Sequence, residues 1–156
     1  MRVVLIQPNV FHSSLATISA WDVPSLGLAY LGAVLEGAKI EVSIIDAHIE
    51  QLQLPALLKR VESFNPHIIG IPANGFSAKY ALRTIKYLRN KFPKCLYIMG
   101  GPFPTADYSY LIRQNYSDIC VLGEGEITVV ELIDALNNKK PLQDVKGLAY
   151  MNGLEF

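Results

Sequence analysis

Cysteine is scarce in this chain: Cys95 and Cys120 are the only two among 156 residues. Two thiols cannot build a disulfide framework, and alone they cannot close a four-ligand metal site. An excess of one charge is also missing. Fourteen Lys and Arg balance 14 Asp and Glu for a formal net charge of +0. Nucleic acid is therefore not an expected partner, since its binding needs a basic field to displace counterions. Charged residues make up 18% of the chain against 51% apolar ones, a balance unlike that of disordered segments. Long hydrophobic runs are absent as well. The opening Met1–Ile6 run stops at Gln7-Pro8, too short for a signal-peptide core, and the uncharged stretch Ser25–Leu35 is too short to span a bilayer. The expectation is one cytoplasmic domain without a membrane span, and a chain of this size can bury about 70% of its unfolded surface.

What the chain does contain is alternation. Runs rich in Val, Ile and Leu occur at Arg2–Gln7, Ile40–Ile45, His67–Pro72, Cys95–Gly100 and Asp118–Leu122. They are apolar at nearly every position, the pattern of strands covered on both faces. Between them lie stripes at helical spacing: Leu54, Leu57, Leu58, Val61; Ala78, Ala81, Leu82, Ile85, Leu88; and Val129, Leu132, Ile133, Leu136. Ser77 and Thr105 stand where helix N-caps are wanted. Strands alternating with helices over short connections predict right-handed βαβ units. The expected fold is α/β, a doubly wound five-stranded parallel sheet with helices on both faces. Gly147–Met151 reads as a short further strand, and Asn152-Gly153 is a hairpin signal three residues before Phe156. The expected division is a domain over 1–146, with 147–156 opening a hairpin that leads toward a further domain.

In open parallel sheets, ligands sit beyond the carboxyl ends of the strands near the topological switch point. Glycines gather there: Gly75, Gly101, Gly123 and Gly125 follow strand candidates, and Gly100 ends one. Glycine admits close backbone approach and positive φ, although βα turns favour it for their own geometry too. Three such segments, Asn74-Gly75-Phe76-Ser77, Gly100-Gly101-Pro102 and Gly123-Glu124-Gly125-Glu126, point to a cleft for a large ligand. The familiar ligands of this architecture lack their signatures. After the first strand stands Gln7-Pro8-Asn9-Val10-Phe11-His12, not G-x-G-x-x-G, and no G-x-x-x-x-G-K-[ST] occurs. The acidic residues of a phospho-acceptor domain are replaced by Gln7 and Pro72.

The same segments carry a resemblance. Gln7-Pro8, Pro24-Ser25-Leu26-Gly27-Leu28-Ala29-Tyr30-Leu31, Ile44-Ile45-Asp46-Ala47, Asn65-Pro66-His67-Ile68-Ile69-Gly70-Ile71, Gly100-Gly101-Pro102-Phe103-Pro104-Thr105 and Gly123-Glu124-Gly125-Glu126 follow one another in order. Together, from Arg2 to about Met151, the chain resembles the N-terminal cobalamin-binding domain of cobalamin-dependent radical S-adenosylmethionine enzymes. The resemblance implies a flavodoxin-like, Rossmann-like fold with cobalamin held over the carboxyl edge and its nucleotide tail inserted among the loops. Carried onto this sequence, the implied cofactor-binding positions are Pro8, Asn9, Asn74, Gly75, Phe76, Ser77, Gly100, Gly101, Pro102, Thr105, Gly123, Glu124, Gly125 and Glu126. Glu124 and Glu126 would accept hydrogen bonds from corrin amides or a ribose hydroxyl, though acidic residues in a helix's first turn also complement its dipole. Gly101 is where a β-carbon is expected to block the tail while leaving the helices intact. The loop Asn9–Val23, with Phe11 and Trp21, is a candidate cover for one corrin face.

Two departures shape the expectation. Mutases and methionine synthase carry D-x-H-x-x-G, whose His ligates cobalt; here Val10 precedes and Leu15 follows His12, so the Asp that would orient the imidazole is missing. His12 is thus a poor candidate cobalt ligand, His48 and His67 read as ordinary strand-end residues, and no metal ligand is assigned. The second departure is the missing C-x-x-x-C-x-x-C triplet: Cys95 and Cys120 lie 25 residues apart in apolar strands and read as small core residues. No catalytic residue is expected within this chain. In the parent protein the resemblance implies a C-terminal radical domain with a 4Fe–4S cluster, S-adenosylmethionine and a small-molecule substrate, acting as a methyltransferase or a related enzyme. The alternatives are a degenerate domain that has lost cobalamin and docks a partner protein, and a stand-alone binder of another nucleotide-like ligand.

Overall fold

Val3, Val4, Leu5 and Ile6 succeed one another on β1 (Arg2–Gln7), and all four are buried. A strand alternates faces, so such a run needs cover on both sides. A computed structural model describes residues 1–10 and 23–151 and supplies that cover. After β1 come α1 (Leu26–Gly37), β2 (Glu41–Asp46), α2 (Leu54–Phe64), β3 (Ile68–Pro72), α3 (Ala78–Arg89), β4 (Leu96–Gly100), α4 (Pro102–Arg113), β5 (Ile119–Val121), α5 (Glu126–Asn138) and β6 (Leu148–Tyr150). The strand order is β2-β1-β3-β4-β5-β6. The first five strands are parallel, and β6 pairs antiparallel with β5, Cys120 opposite Ala149. The expected five-stranded parallel sheet and short sixth strand are both present. The Asn152-Gly153 hairpin signal lies outside the described residues.

The two faces bury two different side-chain sets. Val3 and Leu5 of β1, Ile68 of β3, Ile98 of β4 and Ile119 and Val121 of β5 pack beneath α1 and α5 through Leu28, Leu35, Val129, Leu132 and Ile133. Val4, Ile6, Ile69, Ile71, Tyr97, Met99 and Cys120 point the other way, onto Leu57 and Val61 of α2, Ala81, Ile85 and Leu88 of α3, and Leu111 and Ile112 of α4. Each fully buried aliphatic side chain contributes about 1.5–3 kcal/mol. The chain winds one way from β1 to β2 and then the other, through β3. The switch point therefore falls between β1 and β3, and all five parallel strands end on the same edge.

Three local expectations are corrected. Thr105 does not cap α4: the cap position is Gly101, and Thr105 lies inside the helix, because Pro102 takes the first turn where its missing N–H costs nothing. Ser77 stands at the cap position of α3 but its hydroxyl turns back into the preceding loop. Cys95 precedes β4 and is half-buried, its Sγ donating to the Pro66 carbonyl at 3.2 Å, whereas Cys120 lies fully buried in β5. No helix among the described residues is long and apolar enough to cross a membrane.

Candidate functional site

At the carboxyl edge, on the face covered by α1 and α5, the packing is incomplete. A cavity of about 190 Å³ opens there. Its floor is made by Val3 and Leu5 of β1, Ile68 and Gly70 of β3, and Ile98 of β4. Its walls are the first turns of α1 and α5, with Gly27, Leu28 and Leu31 on one side and Glu126 and Val129 on the other. Gly100, Gly101, Gly123, Glu124 and Gly125 surround its mouth. Gly27 and Gly70 border the space. A β-carbon on Gly27 would meet nothing within 4 Å, and one on Gly70 would press the Leu5 Cδ2 atom at 2.8 Å.

The turn at Gly101 is held by a separate constraint. Its φ is +99°, a conformation open essentially to glycine alone, and a β-carbon there would sit 2.8 Å from the Ala73 carbonyl oxygen. The chain after β4 thus passes directly against the chain after β3, and the Phe103 N–H donates to that same Ala73 carbonyl. Gly101 is therefore a structural necessity of the crossing as well as part of the rim. Gly123, with φ +73°, has open space at its β-carbon position.

Thr105 joins the two glycine turns. Its Oγ1 donates to the Gly101 carbonyl at 2.9 Å and accepts from the Gly123 N–H at 3.1 Å. One hydroxyl thereby sets the separation of the two rim segments. The residue expected as a cap is a strut instead.

The other sequence-chosen positions divide. Gly100, Gly101, Gly123, Glu124, Gly125 and Glu126 come together at the cavity. Asn74, Gly75, Phe76 and Ser77 form the loop after β3 but do not line the cavity. The Asn74 Oδ1 accepts from the Phe76 and Ser77 amides at 3.0 and 2.8 Å, and the Ser77 Oγ accepts from the Asn74 N–H at 3.0 Å. Those polar atoms hold the loop shape. Phe76 is left 64% exposed. Pro8 is buried, and Asn9 faces away from the cavity, its amide donating to the Leu52 carbonyl at 3.3 Å. Pro102 opens α4 on the outer side of the rim. His12, Phe11 and Trp21 lie outside the described residues. His67 sits at the opposite edge, where its Nδ1 accepts from the Arg2 N–H.

Sequence reasoning missed the floor and the α1 wall. The signals were present as Gly27 in a helix's first turn and Gly70 inside a buried strand, where glycine marks a close approach. Among the described residues no three His, Cys, Asp or Glu side chains gather as a metal site. Both thiols have pKa values raised by burial, Cys120 to about 11, so neither is a ready nucleophile or ligand.

An apolar cavity at the switch point of a doubly wound sheet, ringed by glycine turns, defines a cofactor-holding α/β domain. Residues 15–133 match the family model of the B12 binding domain, and the chain belongs to that family. It is 32% identical over 151 residues to an uncharacterized methyltransferase of Pyrococcus horikoshii, covering 96% of this chain and 32% of the relative. It is 31% identical over 154 residues to the anaerobic magnesium-protoporphyrin IX monomethyl ester cyclase of a Synechocystis species, covering 96% of this chain and 30% of that one. The chain thus spans about a third of the length of these relatives. Among solved structures, the cobalamin-dependent S-adenosylmethionine radical enzyme OxsB, with aqua-cobalamin and S-adenosylmethionine bound, superposes with a TM-score of 0.78 at 21% identity, over 97% of this chain and 21% of that one. The radical S-adenosylmethionine methyltransferase TsrM from Kitasatospora setae, with cobalamin and an iron–sulfur cluster bound, gives 0.73 at 19% identity, over 94% of this chain and 28% of that one. These likenesses establish the fold, the expected flavodoxin-like one.

Proposed function

We propose that this chain is the cobalamin-holding part of a longer radical S-adenosylmethionine enzyme, a methyltransferase or a relative of one. The observation that carries the reading is the cavity itself: apolar, open at the switch point, and bordered by glycine backbone together with Glu124 and Glu126. Cobalamin fits that chemistry. Its nucleotide tail is an elongated group ending in an aromatic base, which suits a deep aliphatic slot. The corrin rim carries amides, which suit the exposed backbone of Gly100–Gly101 and Gly123–Gly125 and the carboxylates of Glu124 and Glu126. Bound cobalamin supplies a cobalt centre able to carry a methyl group.

The residues of this chain bind and orient. The floor would exclude water from the tail, Thr105 ties the two glycine turns together, and Phe76 lies exposed on the loop after β3 at the same edge. Val10 stands where an Asp would orient His12, so no residue of this chain is assigned to hold the cobalt. Residues 147–156 lead toward the domain that binds the 4Fe–4S cluster, S-adenosylmethionine and the small-molecule substrate, and the protein works in the cytoplasm. The exposed side chains of Leu26, Phe76 and Ile127, each more than 60% accessible, favour a second reading in which this edge docks a protein without cobalamin.

Mixing the purified protein with hydroxocobalamin, desalting, and recording the visible spectrum tests the assignment. Retained corrin with a base-off spectrum is the expected result. Absence of retention at tens of micromolar would exclude cobalamin binding by the isolated chain and favour the docking module.

A further inference from the structure

The deep end of the cavity offers no polar side chain. Val3, Leu5, Ile68 and Ile98 form its floor, each at most 6% exposed, and Leu28 and Val129 close it from the helices. The backbone beneath is committed to the parallel ladders in which Val3 pairs with Ile68 and Gly70 with Ile98. Ser25, Glu124 and Glu126 stand at the mouth, and the Ser25 Oγ already accepts from the Leu28 N–H. A polar ring atom pushed to the floor would lose its water and find no partner. An aliphatic cavity of about 150 Å³ takes up benzene in a well-studied enzyme. This one, at about 190 Å³ and open at one end, has room for a bicyclic base.

We propose that the site selects cobamides by their lower base, accepting benzimidazoles and discriminating against adenine. The inference rests on the reading that the nucleotide tail enters the cavity. A benzimidazole joined to its sugar through one ring nitrogen keeps the other close to the sugar, so its inserted edge is pure hydrocarbon. Methyl groups on that edge add apolar surface to bury. Adenine inserts a pyrimidine edge carrying an amino group and ring nitrogens, and this floor satisfies none of them. Shape does not separate the two bases; desolvation does.

Equilibrium titration of the whole chain with cobalamin, with the adenine-bearing cobamide and with cobinamide, which has no nucleotide tail, decides the matter. The expected order is cobalamin tightest, with the adenine form at least tenfold weaker. Gly27→Leu, which adds a side chain at the α1 wall of the cavity, is expected to bind all three ligands alike. Equal affinity of wild-type protein for cobalamin and the adenine form, with cobinamide weaker, would overturn the selectivity and leave the tail site standing. Cobinamide binding as tightly as cobalamin would overturn both. Full base preference persisting in Gly27→Leu would place the selection outside this cavity and overturn the proposal.

Discussion

Thr105 shows how one side chain can set a site without lining its cavity. Its hydroxyl holds Gly101 and Gly123 together from inside α4. Thr105→Val keeps the shape and removes both hydrogen bonds, so cobalamin affinity should fall about fivefold, the equivalent of ~1 kcal/mol. Thr105→Ser should restore it, and titration followed by absorbance reads both variants. The glycines separate by the same reasoning. Gly101→Val forces a β-carbon against the Ala73 carbonyl at φ +99°. It should cost about 2–3 kcal/mol in urea unfolding, so lost binding in that variant would report a damaged turn as well as a blocked pocket. Gly27 is the cleaner probe, because its β-carbon position is empty. Gly27→Leu should leave stability unchanged or raise it by up to ~1 kcal/mol through helix propensity, while weakening cobalamin to the level of cobinamide.

Among elements, β5 is the shortest parallel strand, Ile119–Val121, yet it carries the Gly123–Gly125 turn. It is anchored at its other end. The Asp118 carboxylate accepts from the Tyr97 N–H at 2.7 Å and from the Arg89 Nη1 at 3.1 Å, and the guanidinium lies 4.1 Å from the centre of the Tyr97 ring. The Ser117 Oγ adds a bond from the Met99 N–H and donates toward the Ile119 carbonyl at 2.6 Å. Asp118→Ala should destabilise the fold by about 1–3 kcal/mol in urea unfolding, and Asp118→Asn by less, because an amide oxygen can still accept from the Tyr97 N–H. Both lie at the edge opposite the cavity and should leave cobalamin affinity nearly intact once the protein is folded.

For the whole molecule, the buried core sets an alkaline limit. Burial pushes the Cys120 thiol from the usual 9.0 to about 11, against a smaller opposing effect of its hydrogen bond with Ser117. The Tyr97 hydroxyl is raised by burial in the same direction. A raised folded value means that the unfolded chain releases these protons first. Their contribution is complete below the unfolded values and is lost as pH climbs through the folded ones. Urea unfolding across the range from 9.0 to about 11 should show stability falling with pH, and Cys120→Ala should show a shallower slope. An equal slope in that variant would remove Cys120 from the account.

The sheet was legible because burial on both faces leaves a plain trace: β1, β3 and β4 read as continuous apolar runs, and α2, α3 and α5 as stripes. The glycine turns were legible because backbone geometry restricts residue type. Family membership was legible in the order of those turns. The cavity was not, since its floor uses the same Val3, Leu5, Ile68 and Ile98 that would make an ordinary core. Nothing in a valine's identity says whether a side chain or a void lies above it. Nor could spacing reveal that Thr105 would bridge two turns, that Asn74 and Ser77 would spend their polar atoms on their own loop, or that Asn9 would face away. Local pattern determined the elements, their order and the edge on which a ligand belongs. Only the packing of α1 and α5 over the sheet decided where space remains, because a cavity is a property of distances between elements far apart in the chain.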